Sequence, residues 1–262
     1  MDKASDFKIG HILIKVLNLK EAVERFEQLG FTVTMGSIPS KATNAMIYFE
    51  NGSFIELYTV PVEGTKKKIA LKLLNVIKLF SPAKASRYIN YVGTKEGMND
   101  FALDCVKENS FGLMLESLNK RDFPVTKAIP MKRIDVKNCQ IKWQMSFSRD
   151  ARLPFFMDQY VPKIKLEKNQ FTHKNGAKSI KELIISVDDY DYFIKNYQKL
   201  TSNFVEENEK SIFYFGDSSV VIEKGDKFQM KTLQLNGTIS RNLPCEETYG
   251  TQIKLIKEEV VI

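Results

Sequence analysis

Residues 10–33, GHILIKVLNLKEAVERFEQLGFTV, decide how the rest of the chain is read. His11 to Val16 is apolar and rich in β-formers, which predicts a strand. Leu19, Ala22, Val23, Phe26 and Leu29 then recur at spacings of three and four, giving a helix one apolar face. Asn18 stands at the N-cap, Glu21 three residues on makes a capping box, and Gly30 ends the helix. Phe31 to Met35 resumes in extended form. Ala45 to Phe49 and Phe54 to Val60 are strands joined by the turn signal Glu50-Asn51-Gly52. The order is β, α, β, β, β.

The same order returns along the chain. Phe101 to Val106 reads as a strand, Phe111 to Leu118 as a helix, and Phe123 to Val125 opens an extended stretch. Cys139 to Phe147 and Leu153 to Val161 read as two more strands. A third copy begins at Glu182 to Val187 and continues in a helix from Tyr190 to Leu200, with Phe193, Tyr197 and Leu200 on one face. Ser211 to Phe215 and Ser219 to Glu223 follow as strands. Lys231 to Leu235 and Thr251 to Ile256 remain as strands of a fourth, degenerate unit. A single unit leaves a sheet face uncovered, so repeats of this kind pair. The fold class expected is α+β: repeated βαβββ units pairing into curled half-barrel sheets with helices on the outer face.

Between the first two units, Lys66 to Arg87 carries seven cations and no acid. Ile69, Leu73, Ile77 and Phe80 fall on one helical face. The reading favoured is a packed helical connector that buries Ile69, Leu73 and Ile77. The alternative is a lid or a membrane-surface helix.

Composition narrows the function classes. The net charge is +7, but most cations alternate with acids and no nucleic-acid motif or aromatic platform accompanies the basic stretch. Nucleic acid is therefore not expected as a partner, nor, with the connector read as packed, is a membrane; a small-molecule ligand is. No apolar run approaches the roughly 20 residues that span a bilayer. The polar start and three scattered cysteines (Cys105, Cys139, Cys245) suit a cytoplasmic protein. Neither G-x-S-x-G, a P-loop nor H-E-x-x-H occurs.

The first unit, together with NAMIYFENGSFIELY (44–58), GMNDFALDCV (97–106), IKWQMSF (141–147), LPFFMDQY (153–160) and HKNGAKSIKELIISVDD (173–189), resembles the glyoxalase-like branch of the vicinal-oxygen-chelate superfamily. The resemblance implies a glyoxalase-like domain over residues 1–165, with two units joined by the basic connector. Residues 166–262 then hold the third unit and its degenerate partner. It also implies one divalent metal held by inward side chains of paired strands. His11 and Glu56 match the two ligand positions of the first unit. In the second unit Asp158 is laid over Glu56, and Phe101 falls where a ligand should stand. Three oxygen or nitrogen donors can hold a catalytic metal with open positions. The loss at Phe101 equally suits a site without metal.

Phe101, Trp143, His173 and Arg133 are the further residues expected to touch a ligand: the first two as apolar walls, His173 from the family's similar turn, Arg133 as a clamp for an acidic group. Three functions stay open. One is a metal-dependent lyase, isomerase or dioxygenase acting on a small oxygen-rich molecule. Another is a metal-free binding or resistance protein without catalytic activity. The third is a nucleic-acid or membrane-surface adaptor that uses the Lys66 to Arg87 stretch. Whether each half-barrel comes from one chain or is shared in a homodimer is also left open.

Overall fold

The computed structural model describes residues 6–38, 40–135 and 138–258. The first unit comprises β1 (Phe7–Lys15), α1 (Leu19–Gln28), β2 (Thr34–Met35), β3 (Asn44–Tyr48) and β4 (Phe54–Tyr58). Asn18 caps α1 by accepting from the Glu21 amide at 3.3 Å. The Glu21 carboxylate binds Arg25 at 2.7 Å. Gly30 turns the chain out of the helix at φ +87°, against Asn175, where a side chain would not fit.

Two helices, α2 (Gly64–Ile77) and α3 (Pro82–Gly93), lead to the second unit. It contains β5 (Gly97–Cys105), α4 (Phe111–Lys120), β6 (Ile129–Ile134), β7 (Gln140–Phe147) and β8 (Phe155–Met157). A short helix, α5 (Lys168–Phe171), precedes the third unit: β9 (Ala177–Val187), α6 (Tyr190–Gln198), β10 (Phe204–Glu207), β11 (Lys210–Phe215) and β12 (Ser218–Lys224). The chain continues through β13 (Gln229–Gly237), β14 (Arg241–Asn242) and β15 (Gln252–Lys257).

Pairing makes two sheets. The first runs β2-β3-β4-β1-β5-β8-β7-β6, a palindrome about the antiparallel β1–β5 pair. The second runs β10-β11-β12-β9-β13-β15-β14, centred in the same way on β9–β13. This is the paired-unit half-barrel arrangement that the sequence repeats predict. The segment expected as a strand from Leu153 to Val161 keeps strand geometry only over β8, after Pro154 and before the Val161–Pro162 bond.

One face of β1 and β5 (Ile12, Ile14, Phe101, Leu103) joins α1, α4, α6 and the inner face of the second sheet in a continuous apolar core. The other face lines a hollow. There Leu13, Tyr58, Ala102, Phe147, Phe155 and Met157 form a second, smaller cluster.

A buried ion pair ties α3 to this concave face. Arg87, wholly buried, donates to both Asp100 oxygens at 2.6 Å, to Ser148 Oγ at 3.1 Å and to the Leu153 carbonyl at 2.7 Å. The Tyr91 hydroxyl donates to Asp100 at 2.7 Å. The expectation for the connector is met in its helicity and corrected in its packing. Ile69, Leu73 and Ile77 are exposed, because α2 rests mainly on α3, through its half-buried Ala70, Leu71 and Leu74.

Replacing Arg87 by Ala leaves the Asp100 carboxylate buried and unpaired, which typically costs about 3–5 kcal/mol. Urea unfolding of Arg87→Ala is expected to show a loss of that size. A loss within experimental error would mean that α3 is not held by this pair.

Candidate functional site

Which side chains face the hollow follows from the β1–β5 register. His11 stands opposite Ala102, Ile12 opposite Phe101 and Leu13 opposite Asp100. The register shifts at Gly10, which is an extra residue on β1. A side chain there would collide with the Asp104 carboxylate. Beyond this bulge His11 points into the hollow and Ile12 into the core. The parallel partners complete the picture: His11 pairs with Phe54 and Leu13 with Glu56, while Ala102 pairs with Phe155 and Asp104 with Met157.

The palindrome therefore equates His11 with Ala102 and Glu56 with Met157. Laying Phe101 over His11 and Asp158 over Glu56 is off by one residue, and one residue exchanges the faces of a strand. Phe101 is buried in the main core, away from the hollow. Asp158 lies past the end of β8 and does not line the hollow; its carboxylate accepts from the Gln159 amide at 2.8 Å. His11, Glu56 and Asp158 thus do not converge.

The cavity between units one and two measures about 180 Å³. His11, Asn44, Glu56 and Arg133 contribute its nitrogen and carboxylate groups. Phe54, Trp143, Phe155, Tyr160 and Met46, Met131, Met145 and Met157 supply most of the remaining wall. His11 is stacked on Phe54, with ring centroids 4.4 Å apart and planes within 4°, and meets the edge of Phe155 at 5.4 Å. Its Nε2 lies 3.6 Å from Glu56 Oε2, and its Nδ1 is buried with no partner among the described residues. Burial pushes the His11 pKa down to about 3, so the ring is neutral at physiological pH.

Glu56 accepts from Asn44 Nδ2 at 2.7 Å. Burial raises its pKa, opposed by the Asn44 hydrogen bond and by the charge of Arg133. Arg133 donates to the Gly36 carbonyl at 3.1 Å, and its guanidinium carbon lies 5.8 Å from the centre of the Tyr160 ring. Trp143 meets Tyr160 edge to face at 5.3 Å.

His173 stands elsewhere. Thr32 N donates to its Nδ1 at 3.0 Å, so its Nε2 carries the proton and donates to the Tyr48 carbonyl at 2.9 Å. Phe31 and Phe49 pack their rings against it. Asn175 continues the same joint, donating to the Leu29 carbonyl at 3.0 Å. The His-Lys-Asn-Gly run fastens the approach to the second sheet onto the first unit and does not reach the cavity. Sequence reading missed Asn44, Tyr91 and the cavity methionines. Asn44 opens β3, and the alternation that turns it inward could have been counted back from Met46.

The fit of a divalent metal can be judged from the donors. Of the four equivalent inward positions only His11 and Glu56 offer a nitrogen or oxygen. Ala102 has no donor, and the Met157 thioether is a poor ligand for hard divalent ions. Among the described residues no group of three or more His, Cys, Asp and Glu side chains could hold a metal. The residues present do not make up a metal centre of the usual three or four ligands.

Neutral His11 fixes a sign for the pH dependence. Its folded pKa lies below the unfolded value of 6.5, so the unfolded chain takes up a proton first as the pH falls. The stability this withholds is fully present above about pH 6.5 and is lost progressively towards pH 3. Glu56, raised, works in the opposite direction. The expected result is that His11→Gln loses less stability than wild type between about pH 7 and pH 4. The His11 ring proton should also show no titration in that range by NMR. Titration near 6.5 would contradict the burial.

A family model described as a glyoxalase-like domain matches residues 9–201. No functionally curated protein matches the sequence. Among solved structures, a hypothetical protein from Staphylococcus aureus aligns with TM-score 0.68 at 18% identity, covering 96% of this chain and 100% of that one. The Mn(II)-bound glyoxalase from Novosphingobium aromaticivorans aligns with TM-score 0.58 at 8% identity, covering 98% and 83%. A mutant homoprotocatechuate 2,3-dioxygenase from Brevibacterium fuscum aligns with TM-score 0.57 at 7% identity, covering 99% and 74%. At these identities the structural likeness establishes the fold alone. The family match, spanning well over half of the chain, goes further: this protein belongs to the glyoxalase-like domain family.

Proposed function

We propose that the protein binds a small, ring-sized molecule with oxygen substituents in the half-barrel cavity, and does so without a metal. The observation that carries this reading is the pair Ala102 and Met157. They stand at the positions equivalent to His11 and Glu56, so one half of the site is apolar while the cavity stays open. A dry apolar cavity of about 150 Å³ is known to hold benzene. The 180 Å³ here suits a substituted six-membered ring. Aromatic rings and polarisable thioethers would grip its faces. Glu56 would accept from a ligand hydroxyl, and the unpartnered His11 Nδ1 offers a second polar contact. Arg133 favours a ligand of partial negative charge. The unpaired thiols of Cys139 and Cys245 at the surface suit a cytoplasmic setting.

Trp143, the single tryptophan, lines the cavity and reports on its contents. A panel of phenols, catechols and hydroxybenzoates should include compounds that change Trp143 emission in a saturable way, with or without EDTA. Losing one buried hydrogen bond to a charged group costs about 1.5–3 kcal/mol, so Glu56→Gln should weaken binding at least about tenfold. Binding abolished by EDTA, or unaltered in Glu56→Gln, would overturn the reading.

A further inference from the structure

The helix α2 presents an apolar face that no described residue covers. Ile69 is 61% exposed, Leu73 59%, Val76 55% and Phe80 85%. Ile69, Leu73, Val76 and Ile77 recur at i, i+4, i+7 and i+8, and at 100° per residue they form one stripe about 100° wide; Phe80 follows in the turn after the helix. The opposite side of the helix is spent on α3: Leu71 packs against Gly93, and Lys67 donates to the Gly93 carbonyl at 3.4 Å. The stripe is therefore not a core face waiting for a neighbour within the fold.

Charge identifies what would cover it. From Gly64 to Lys95 the chain has no Asp or Glu. Lys66 and Lys72 are exposed on and beside the stripe, Lys68, Lys78 and Lys84 are exposed elsewhere on the α2–α3 pair, and among the described residues no ion pair engages them. The buried Arg87 is neutralised by Asp100 and does not count. A second copy of this chain is a poor occupant, because a two-fold contact would set this acid-free helix against its own image. An apolar stripe edged by lysines matches the boundary of an anionic bilayer: aliphatic groups enter the acyl region, and long lysine side chains reach back to the headgroups.

We infer that α2 and the Leu79–Phe80 turn dock the protein on anionic membrane surfaces, lying in the plane of the interface. No described helix is long and apolar enough to cross a bilayer, so the contact is peripheral. The expectation of no membrane partner rested on a connector with its apolar side chains packed away; their exposure removes that ground. Because α3, beneath α2, brings Tyr91 to the cavity wall, docking would hold the cavity close to the lipid phase.

The test is flotation of the full chain with vesicles of phosphatidylcholine containing one third phosphatidylglycerol, beside vesicles of phosphatidylcholine alone. The protein should float with the anionic vesicles and not with the neutral ones, and high salt should release it. Leu73→Glu with Phe80→Glu alters exposed positions only, so circular dichroism should stay unchanged while flotation is lost. Lys66→Ala and Lys72→Ala should each lower the partition coefficient about fivefold. Three outcomes would overturn the inference. One is wild-type protein that stays unbound. Another is a dimer, seen by sedimentation, that Leu73→Glu dissolves. The last is α2-dependent retention of RNA in place of vesicles.

Discussion

The pleat of the β1–β5 pair governs everything in the first sheet. Successive side chains on a strand face opposite ways, so one register shift decides whether a residue enters the core or the cavity. The shift that sets the cavity residues occurs at Gly10, beside the Asp104 carboxylate, where only a residue without a side chain fits; a second lies between Leu13 and Ile14. Beyond the first shift His11, Leu13, Ala102 and Asp100 face the hollow, and Ile12 and Phe101 face the core. Glu56 and Met157 follow through the parallel strands β4 and β8. The site's chemistry is thus a consequence of backbone pairing, before any side chain interacts with another.

The same pairing shows what a sequence of this kind makes legible. The strand–helix–strands repeat was readable because period-two and period-3.6 patterns are local. It yielded the half-barrel, the helices and the inward direction of His11 and Glu56. The bulge was not readable, since an extra residue leaves no local mark except a glycine. Without it FALDCV slides over HILIKV with Phe101 on His11; separately, FFMDQY slides one residue along FIELY and brings Asp158 onto Glu56 in place of Met157. The aligned letters looked sound while the faces were exchanged. His173 escaped for a different reason. Both ring nitrogens are engaged by backbone groups of the first unit, and such contacts span more than a hundred residues.

Two devices hold the concave side in place. From within, Arg87, Tyr91 and Asp100 fasten α3 over the sheet, with Ser148 and the Leu153 carbonyl sharing the guanidinium. From behind, the His173 and Asn175 joint anchors the first unit to the approach of the second sheet. The burial pattern of the connector helix could not have been foreseen from spacing alone. An apolar stripe indicates a buried face only when a neighbour arrives, and here α3 takes the opposite face. Leu183, Ile185, Leu233 and Leu235 of the second sheet join the same core as Ile12, Ile14, Phe101 and Leu103 of the first.

The central claim is that the cavity holds half of a metal site and works as a ligand pocket. Metal content after exhaustive dialysis against manganese, nickel or zinc, compared between wild type and Met157→Glu, tests it most directly. The variant adds a carboxylate at the position equivalent to Glu56 and so completes three donors with His11 and Glu56. The account predicts no stoichiometric metal on wild type and up to one ion per chain on the variant. One ion per chain retained by wild type, and lost with His11→Ala, would contradict it.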